Sequence, residues 1–220
     1  MKDNGIEVFQ ELHLKECSAS ISIRNCILSQ AQDPWRHDVE REKMIKGGFP
    51  GDEDVVVLVR ASFDDIDDSG LVLWQEKGGY RVANIVPQNV SELGITKYNT
   101  ILMDFVDRVV KPAAENNEFE IELTSSRQTL EDWMTEGPAI ALRRFSRSAN
   151  KSTGASHPMD QARWFTFLIE AYRSPKRADS EHLARWLIEI EGWPEHTARE
   201  LAIDYEFALG LLEQYGQSRL

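Results

Sequence analysis

The first half of the chain carries the apolar patterns of β-strands. Residues 54–63 form a β-branched run, residues 71–75 and 80–86 are shorter apolar runs, and residues 119–123 alternate apolar and acidic side chains. Because β-branched residues suit strands and short turns join antiparallel neighbours, these segments predict an antiparallel meander. Segments 6–14 and 21–28 are predicted as further strands, and residues 32–51 as loop or a short helix.

One amphipathic helix interrupts this strand-rich half. Apolar residues recur at helical spacing with charged residues between them: Tyr98, Ile101, Leu102, Phe105 and Val109. Such a stripe predicts a helix packed on the sheet. Proline disrupts a helix interior, so the helix is predicted to end near Pro112.

From Thr129 onward the apolar period becomes helical. Thr129 is predicted to cap a short helix, Gly137 and Pro138 to separate it from a helix over 139–148, and Pro158, Ser180 and Pro194 to open three more. Strands followed by helices predict an α+β fold. We expect a mainly antiparallel N-terminal sheet with a packed helix over residues 1–125 and a helical part over 126–220, as two parts or as one continuous domain.

Composition narrows the class of protein. The 220 residues carry a formal charge of −12, and no apolar run approaches the about 20 residues that cross a bilayer. The start of the chain lacks the pattern of a secretory signal, and Cys17 and Cys26 are isolated in sequence, which favours reduced thiols. We therefore expect a soluble, cytoplasmic protein that has no membrane segment and needs no cofactor. The negative charge argues against general binding to duplex nucleic acid.

The charge is unevenly distributed. Residues 138–179 carry 8 basic and 3 acidic side chains, whereas residues 1–137 carry 14 basic and 26 acidic. A basic helix that leads through a polar loop into another helix N-terminus could bind a phosphate or carboxylate. The candidate anion-binding residues are Arg143, Arg144, Arg147, Lys151, Ser152, His157 and Arg163. The alternative is that these cations form surface ion pairs with the flanking acidic segments.

An acidic turn resembles a calcium-binding loop. Asp65, Asp67, Ser69 and Glu76 occupy the first, third, fifth and twelfth positions of such a loop, and Gly70 occupies the sixth. However, residues 71–74 are predicted as strand, whereas the motif requires a helix there. An acidic hairpin turn explains the same residues, so calcium is the weaker interpretation.

Three functions fit these features. The leading prediction is an acidic intracellular interaction protein that binds another macromolecule, such as a neutraliser of a basic partner. The alternative is an enzyme or sensor for a phosphate- or nucleotide-like anion at segment 143–163. A third is a nucleic-acid accessory protein that uses only the basic helix. The sequence does not decide whether the chain is an enzyme, and it does not predict the oligomeric state.

Overall fold

The computed structural model describes residues 5–17, 22–48, 54–88, 93–115 and 119–218. The predicted α+β fold is confirmed: an antiparallel sheet with helices comes first, and helices dominate afterwards. The strands are β1 (Ile6–Glu7), β2 (Leu12–Glu16), β3 (Trp35–His37), β4 (Val55–Arg60), β5 (Ser69–Glu76), β6 (Gly79–Pro87), β7 (Phe119–Leu123) and β8 (Arg127–Gln128). The helices are α1 (Ile23–Gln30), α2 (Val39–Gly48), α3 (Ile95–Phe105), α4 (Lys111–Glu115), α5 (Leu130–Trp133), α6 (Glu136–Ser148), α7 (Pro158–Arg173), α8 (Ser180–Glu189) and α9 (Glu195–Gln217).

The chain divides into two compact units. One unit, Glu7–Ser126, is called the sheet unit here. The other, the helical unit, combines Arg127–Leu220 with the start of the chain up to Ile6. The strands β1 and β8 pair as a separate two-stranded sheet.

The sheet unit contains a six-stranded antiparallel sheet in the order β3-β4-β5-β6-β2-β7. Because β2 lies between β6 and β7, the early segment of the chain is paired on both sides. Gly79 permits the close approach of β6 to β2, since a Cβ there would lie 1.8 Å from the carbonyl oxygen of Leu14. Leu102 and Phe105 of α3 and Ile27 of α1 belong to the same buried core as the apolar side chains of the strands.

A buried ion pair joins the sheet to α3 inside this unit. The side chain of Arg60 is fully buried, and its Nε donates to Asp104 Oδ2 at 2.8 Å. Trp35 Nε1 donates to the same oxygen at 2.8 Å, and Arg108 Nε donates to Oδ1 at 2.8 Å. Burial alone would raise the pKa of Asp104, but the hydrogen bonds from Arg60, Arg108 and Trp35 outweigh it and hold the pKa below its usual value.

The strand predicted for segment 21–28 is wrong, and the prediction for segment 32–51 is partly right, because the short helix is present together with an unpredicted strand. Segment 21–28 is not a strand: Ser22 caps α1 by accepting the N–H of Asn25, and Ile23, Cys26 and Ile27 are buried at helical spacing. Residue 21 itself lies outside the described residues. Segment 32–51 contains β3 and α2 up to residue 48, and residues 49–51 also lie outside the described ranges.

The helical segment that begins with α3 continues through Pro112 and ends at Glu115, three residues beyond the predicted proline. A π-helical turn, Val106–Val110, follows α3, and α4 then continues through Pro112. The N–H of Lys111 donates to Val106, five residues earlier, so the wider turn accommodates a proline that would clash in a regular α-helix.

The helical unit is organised around buried aromatic rings. Phe145 packs against Trp164 and Trp193 with ring centroids 4.9 and 5.4 Å apart, and Phe167 stacks on Tyr205 at 5.5 Å. Trp133, Trp164, Trp186 and Trp193 are all buried and contribute to the core of this unit.

The predicted caps of this unit were partly right. Thr129 forms the predicted capping interaction, a reciprocal pair of hydrogen bonds with Asp132. The prediction that Ser180 caps α8 is wrong: the preceding Asp179 holds that position, and its carboxylate accepts the N–H of His182 at 2.7 Å.

Candidate functional site

The arginines predicted to bind an anion do not all face the same way on α6. Arg143 makes a two-point ion pair with Glu131 of the neighbouring segment, with Nη1–Oε1 and Nη2–Oε2 distances of 2.5 and 3.0 Å. These hydrogen bonds lower the pKa of Glu131 to about 2. Arg144 and Arg147 are exposed, and neither has an ion-pair partner among the residues that the structure describes.

The predicted loop residues are largely occupied by contacts within the molecule. Lys151 Nζ donates to the carbonyl oxygen of Glu191. Ser152 is exposed, and its backbone N–H donates to Asn150. His157 is the N-cap of α7, where its Nδ1 accepts the N–H of Met159 at 3.3 Å.

Arg163 lines hollows together with two other predicted residues. It pairs with the buried Asp160 at 2.7 Å. It lines one groove together with Arg144 and a second hollow together with His157. The seven predicted residues therefore do not converge on one pocket, and anion binding at this segment stays a prediction.

The calcium-loop residues are also spread apart. Ser69 and Glu76 begin and end β5, and about 23 Å separates residues at that spacing along a strand. Asp67 pairs with Lys97 at 2.7 Å, and Glu76 Oε1 lies within hydrogen-bond distance, 2.7 Å, of His13 Nδ1. Asp65 has a positive φ of 58° in the turn before β5. Glu76 therefore lies far from Ser69 along the strand, and calcium binding at this turn stays a prediction.

The largest network of charged groups in the sheet unit is internally satisfied. The buried Glu42 accepts hydrogen bonds from His37, Arg24 and Lys46, and Asp54 accepts from Arg24, Lys46 and Tyr80. Burial would raise the pKa of Glu42, but these hydrogen bonds outweigh it and lower the pKa. The described residues contain no group of three or more histidine, cysteine, aspartate or glutamate side chains that could hold a metal ion.

The most unusual surface of the helical unit is a row of large apolar side chains along α9. The row repeats every four residues, and its members are Ile203, Phe207, Leu211 and Tyr215, exposed by 67%, 72%, 59% and 52%. Each step of four residues advances about 40° around a helix, so the row drifts gradually around α9 while it extends over about 18 Å along the axis. The buried side of α9, with Leu201 and Tyr205, faces the core instead.

A groove runs beside this row, between α7 and α9. Its volume is about 460 Å³, and it is lined by Phe165 of α7, half exposed, and by Phe207 and Leu211 of α9. The groove also contains Glu200 and Asp204, one turn apart on α9. Neither carboxylate has an ion-pair partner within the described part of the chain, and no cationic side chain is among the groove residues.

We call this surface the α7–α9 face. Its residues are Phe165, Glu200, Ile203, Asp204, Phe207, Leu211 and Tyr215. Glu200, Ile203 and Asp204 lie in the first half of α9, and Phe207, Leu211 and Tyr215 lie in its second half. A monomeric protein seldom leaves contiguous large apolar side chains in water, so a surface of this kind is typical of an interface.

The backbone beneath the face is held firmly. Tyr205 of α9 donates its hydroxyl to the carbonyl of Ala178 at 2.8 Å, and burial raises the pKa of Tyr205 to about 12. At one end of the groove, Gly154 adopts a left-handed φ of 61°, and a Cβ there would lie 3.2 Å from Thr197. The face is therefore supported by packed helices on one side and a tight glycine turn at its end.

Sequence reasoning identified the buried side of α9 but not the exposed row. The helical spacing predicts one stripe made of Ala198, Leu201, Ala202, Tyr205, Ala208 and Leu212. The structure buries the first four of these residues and leaves Ala208 and Leu212 half-buried. The signal for the second row was the additional spacing of four between Ile203, Phe207, Leu211 and Tyr215, which makes α9 apolar on two sides.

Comparisons with known proteins add no relative. No protein-family model, no curated protein and no solved structure matches this chain. Among the described helices, none combines the length and the apolar character that spanning a membrane requires.

Proposed function

We infer that the chain is a protein-interaction module that binds another macromolecule through the α7–α9 face. The observation that carries this proposal is the row of four large apolar side chains, each more than half exposed, on a well-supported helix. Burying such side chains against a partner removes apolar surface from water, which is the main favourable contribution to association.

Charge supports a basic partner. The sheet unit carries 22 acidic and 12 basic side chains, and the α7–α9 face adds two carboxylates that have no ion-pair partner in the described part of the chain. An acidic surface raises the rate of encounter with cationic partners and disfavours acidic ones. The chain would thus act as a binding protein or neutraliser of a basic macromolecule. Two free thiols favour a reducing compartment, so we place this activity in the cytoplasm.

The test is site-specific photo-crosslinking in the source cell. A photoreactive phenylalanine analogue replaces Phe207 in one variant and Met44 in the control, because Met44 is 69% exposed but belongs to the sheet unit. We expect a discrete protein adduct from position 207 and none from position 44, with both variants folded by circular dichroism.

Two results would contradict the proposal. One is the absence of an adduct at position 207 under conditions in which the photoreactive group is consumed. The other is an adduct of twice the chain's own mass, since that would make the face a contact between identical copies.

A further inference from the structure

We propose that the occupant of the α7–α9 face is a helix of the partner protein, with lysine or arginine on the same side as large apolar residues. This inference rests on the proposed function and specifies the chemistry of the partner. It depends on two properties of the face: the backbone around it and the charge within it.

The backbone favours a helical occupant. The face is built from side chains of α7 and α9 and offers no strand edge, so an extended peptide would find no backbone partners there. A helix satisfies its own backbone hydrogen bonds and presents only side chains. Its apolar residues at spacings of three and four would fit between Phe207, Leu211 and Phe165, as ridges of one helix fit the grooves of others.

The charge selects a cationic helix. Glu200 and Asp204 lie one turn apart in the groove without a cationic neighbour among its described residues. An acidic or neutral helix would place its own carboxylates or apolar groups against these two charges at a cost in desolvation and repulsion. A helix with lysine or arginine one to two turns from its apolar residues would pair with both carboxylates.

A second copy of the chain is the less favoured occupant. The helix α9 carries five acidic side chains and one basic side chain, Arg199, so two α9 helices that pack on each other would bring like charges together. The same argument disfavours any strongly acidic partner.

The experiment selects ligands from a displayed library of 20-residue peptides in which charge and apolar pattern vary, including helical and proline-containing extended designs. The full chain is the target, and the Phe207→Asp variant serves for counter-selection. We expect the enriched peptides to carry apolar residues at spacings of three or four with lysine or arginine on the same side. Circular dichroism of synthetic copies should show helix on binding.

Fluorescence anisotropy with an enriched peptide then tests the charge. The Glu200→Lys/Asp204→Lys variant should weaken binding of the cationic peptide by at least about tenfold and improve binding of its acidic counterpart. The matched control is Glu40→Lys/Glu115→Lys, which changes the net charge equally at exposed residues of the sheet unit and should change affinity less than about twofold.

The outcomes separate this inference from the function on which it rests. Enrichment of acidic or extended peptides, or equal effects of the two double variants, overturns the cationic helix while a crosslink at position 207 still supports an interaction module. Failure to enrich any peptide that requires Phe207 overturns the inference too. Sedimentation velocity tests whether the occupant is a second copy of the chain. A dimer that becomes a monomer in the Phe207→Asp variant would assign the face to a second copy and would overturn the inference.

Discussion

Replacing Asp104 by alanine should destabilise the sheet unit by about 3–5 kcal/mol, the usual cost of breaking a buried ion pair from one side. The substitution leaves the fully buried Arg60 guanidinium without its carboxylate, although three backbone carbonyls still accept hydrogen bonds from it. It also removes the acceptor of Trp35 Nε1, and an unsatisfied buried donor alone costs about 1–3 kcal/mol. The two costs overlap because both groups share one carboxylate, so we expect the total to stay within the range given.

The control is Asp107→Ala, one turn further along. Asp107 is 55% exposed and forms an exposed ion pair with Lys111, so its loss should cost less than about 1 kcal/mol. Urea unfolding followed by hydrogen exchange of peptides from β4 and β5 measures the free energy of the sheet unit separately from that of the helical unit. A loss below about 1 kcal/mol in Asp104→Ala would refute the reasoning, because the buried cation would then be stable without its partner.

The same pair predicts a pH dependence. The pKa of Asp104 is lowered in the folded chain, so its contribution to stability is complete above the unfolded value of about 4 and is lost as the pH falls through the folded value. The difference between the native chain and Asp104→Ala should therefore be constant from about pH 5 to 8 and shrink only below about pH 4. A difference that declines between pH 8 and 5 would contradict this assignment.

Three further outcomes are expected. Carbon-13 NMR should give Glu131 a titration midpoint of about 2. The Arg143→Met variant should move this midpoint upward toward the ordinary value of about 4.3. An unchanged midpoint would show that Arg143 does not cause the low pKa of Glu131. Gly210→Ala should raise the stability of the helical unit by about 0.5–1 kcal/mol, because α9 has open space at that Cβ; a loss in chemical denaturation would show an unrecognised contact. Phosphate or ATP should leave the melting temperature unchanged within about 1 °C, because Arg143, Arg163 and Lys151 already bind groups of the same chain. A larger rise in melting temperature that Arg144→Ala abolishes would support the small-molecule alternative.

The sequence predicted correctly those elements whose apolar pattern is compatible with only one type of secondary structure. The β-branched run of β4 and the acidic alternation of β7 suit strands alone, and both are strands in the structure. By contrast, segment 21–28 contains apolar residues that fit both periods, and the serine cap at position 22 decides for a helix. A proline marks the end of most helices, but a π-helical turn removes the clash at Pro112, and nothing in the local sequence announces such a turn.

The candidate site was less predictable for a physical reason. The charge of Arg143, Lys151 and Arg163 is visible in the sequence, but the contacts that occupy them come from Glu131, Glu191 and Asp160, and only the fold brings those groups near. The apolar row of α9 has the opposite difficulty. In the sequence, its large apolar residues resemble core residues. Only the structure shows that another side of the same helix already packs in the core.

The two thiols of the sheet unit differ in reactivity in a way that makes the chain straightforward to label. Cys26 is buried in α1, and burial raises the pKa of its thiol, so little of it is the nucleophilic thiolate near neutral pH. Cys17 is exposed. A maleimide dye should therefore attach at Cys17 alone in the folded chain, giving one fluorophore per molecule without engineering and leaving the helical unit unmodified for titration with peptides.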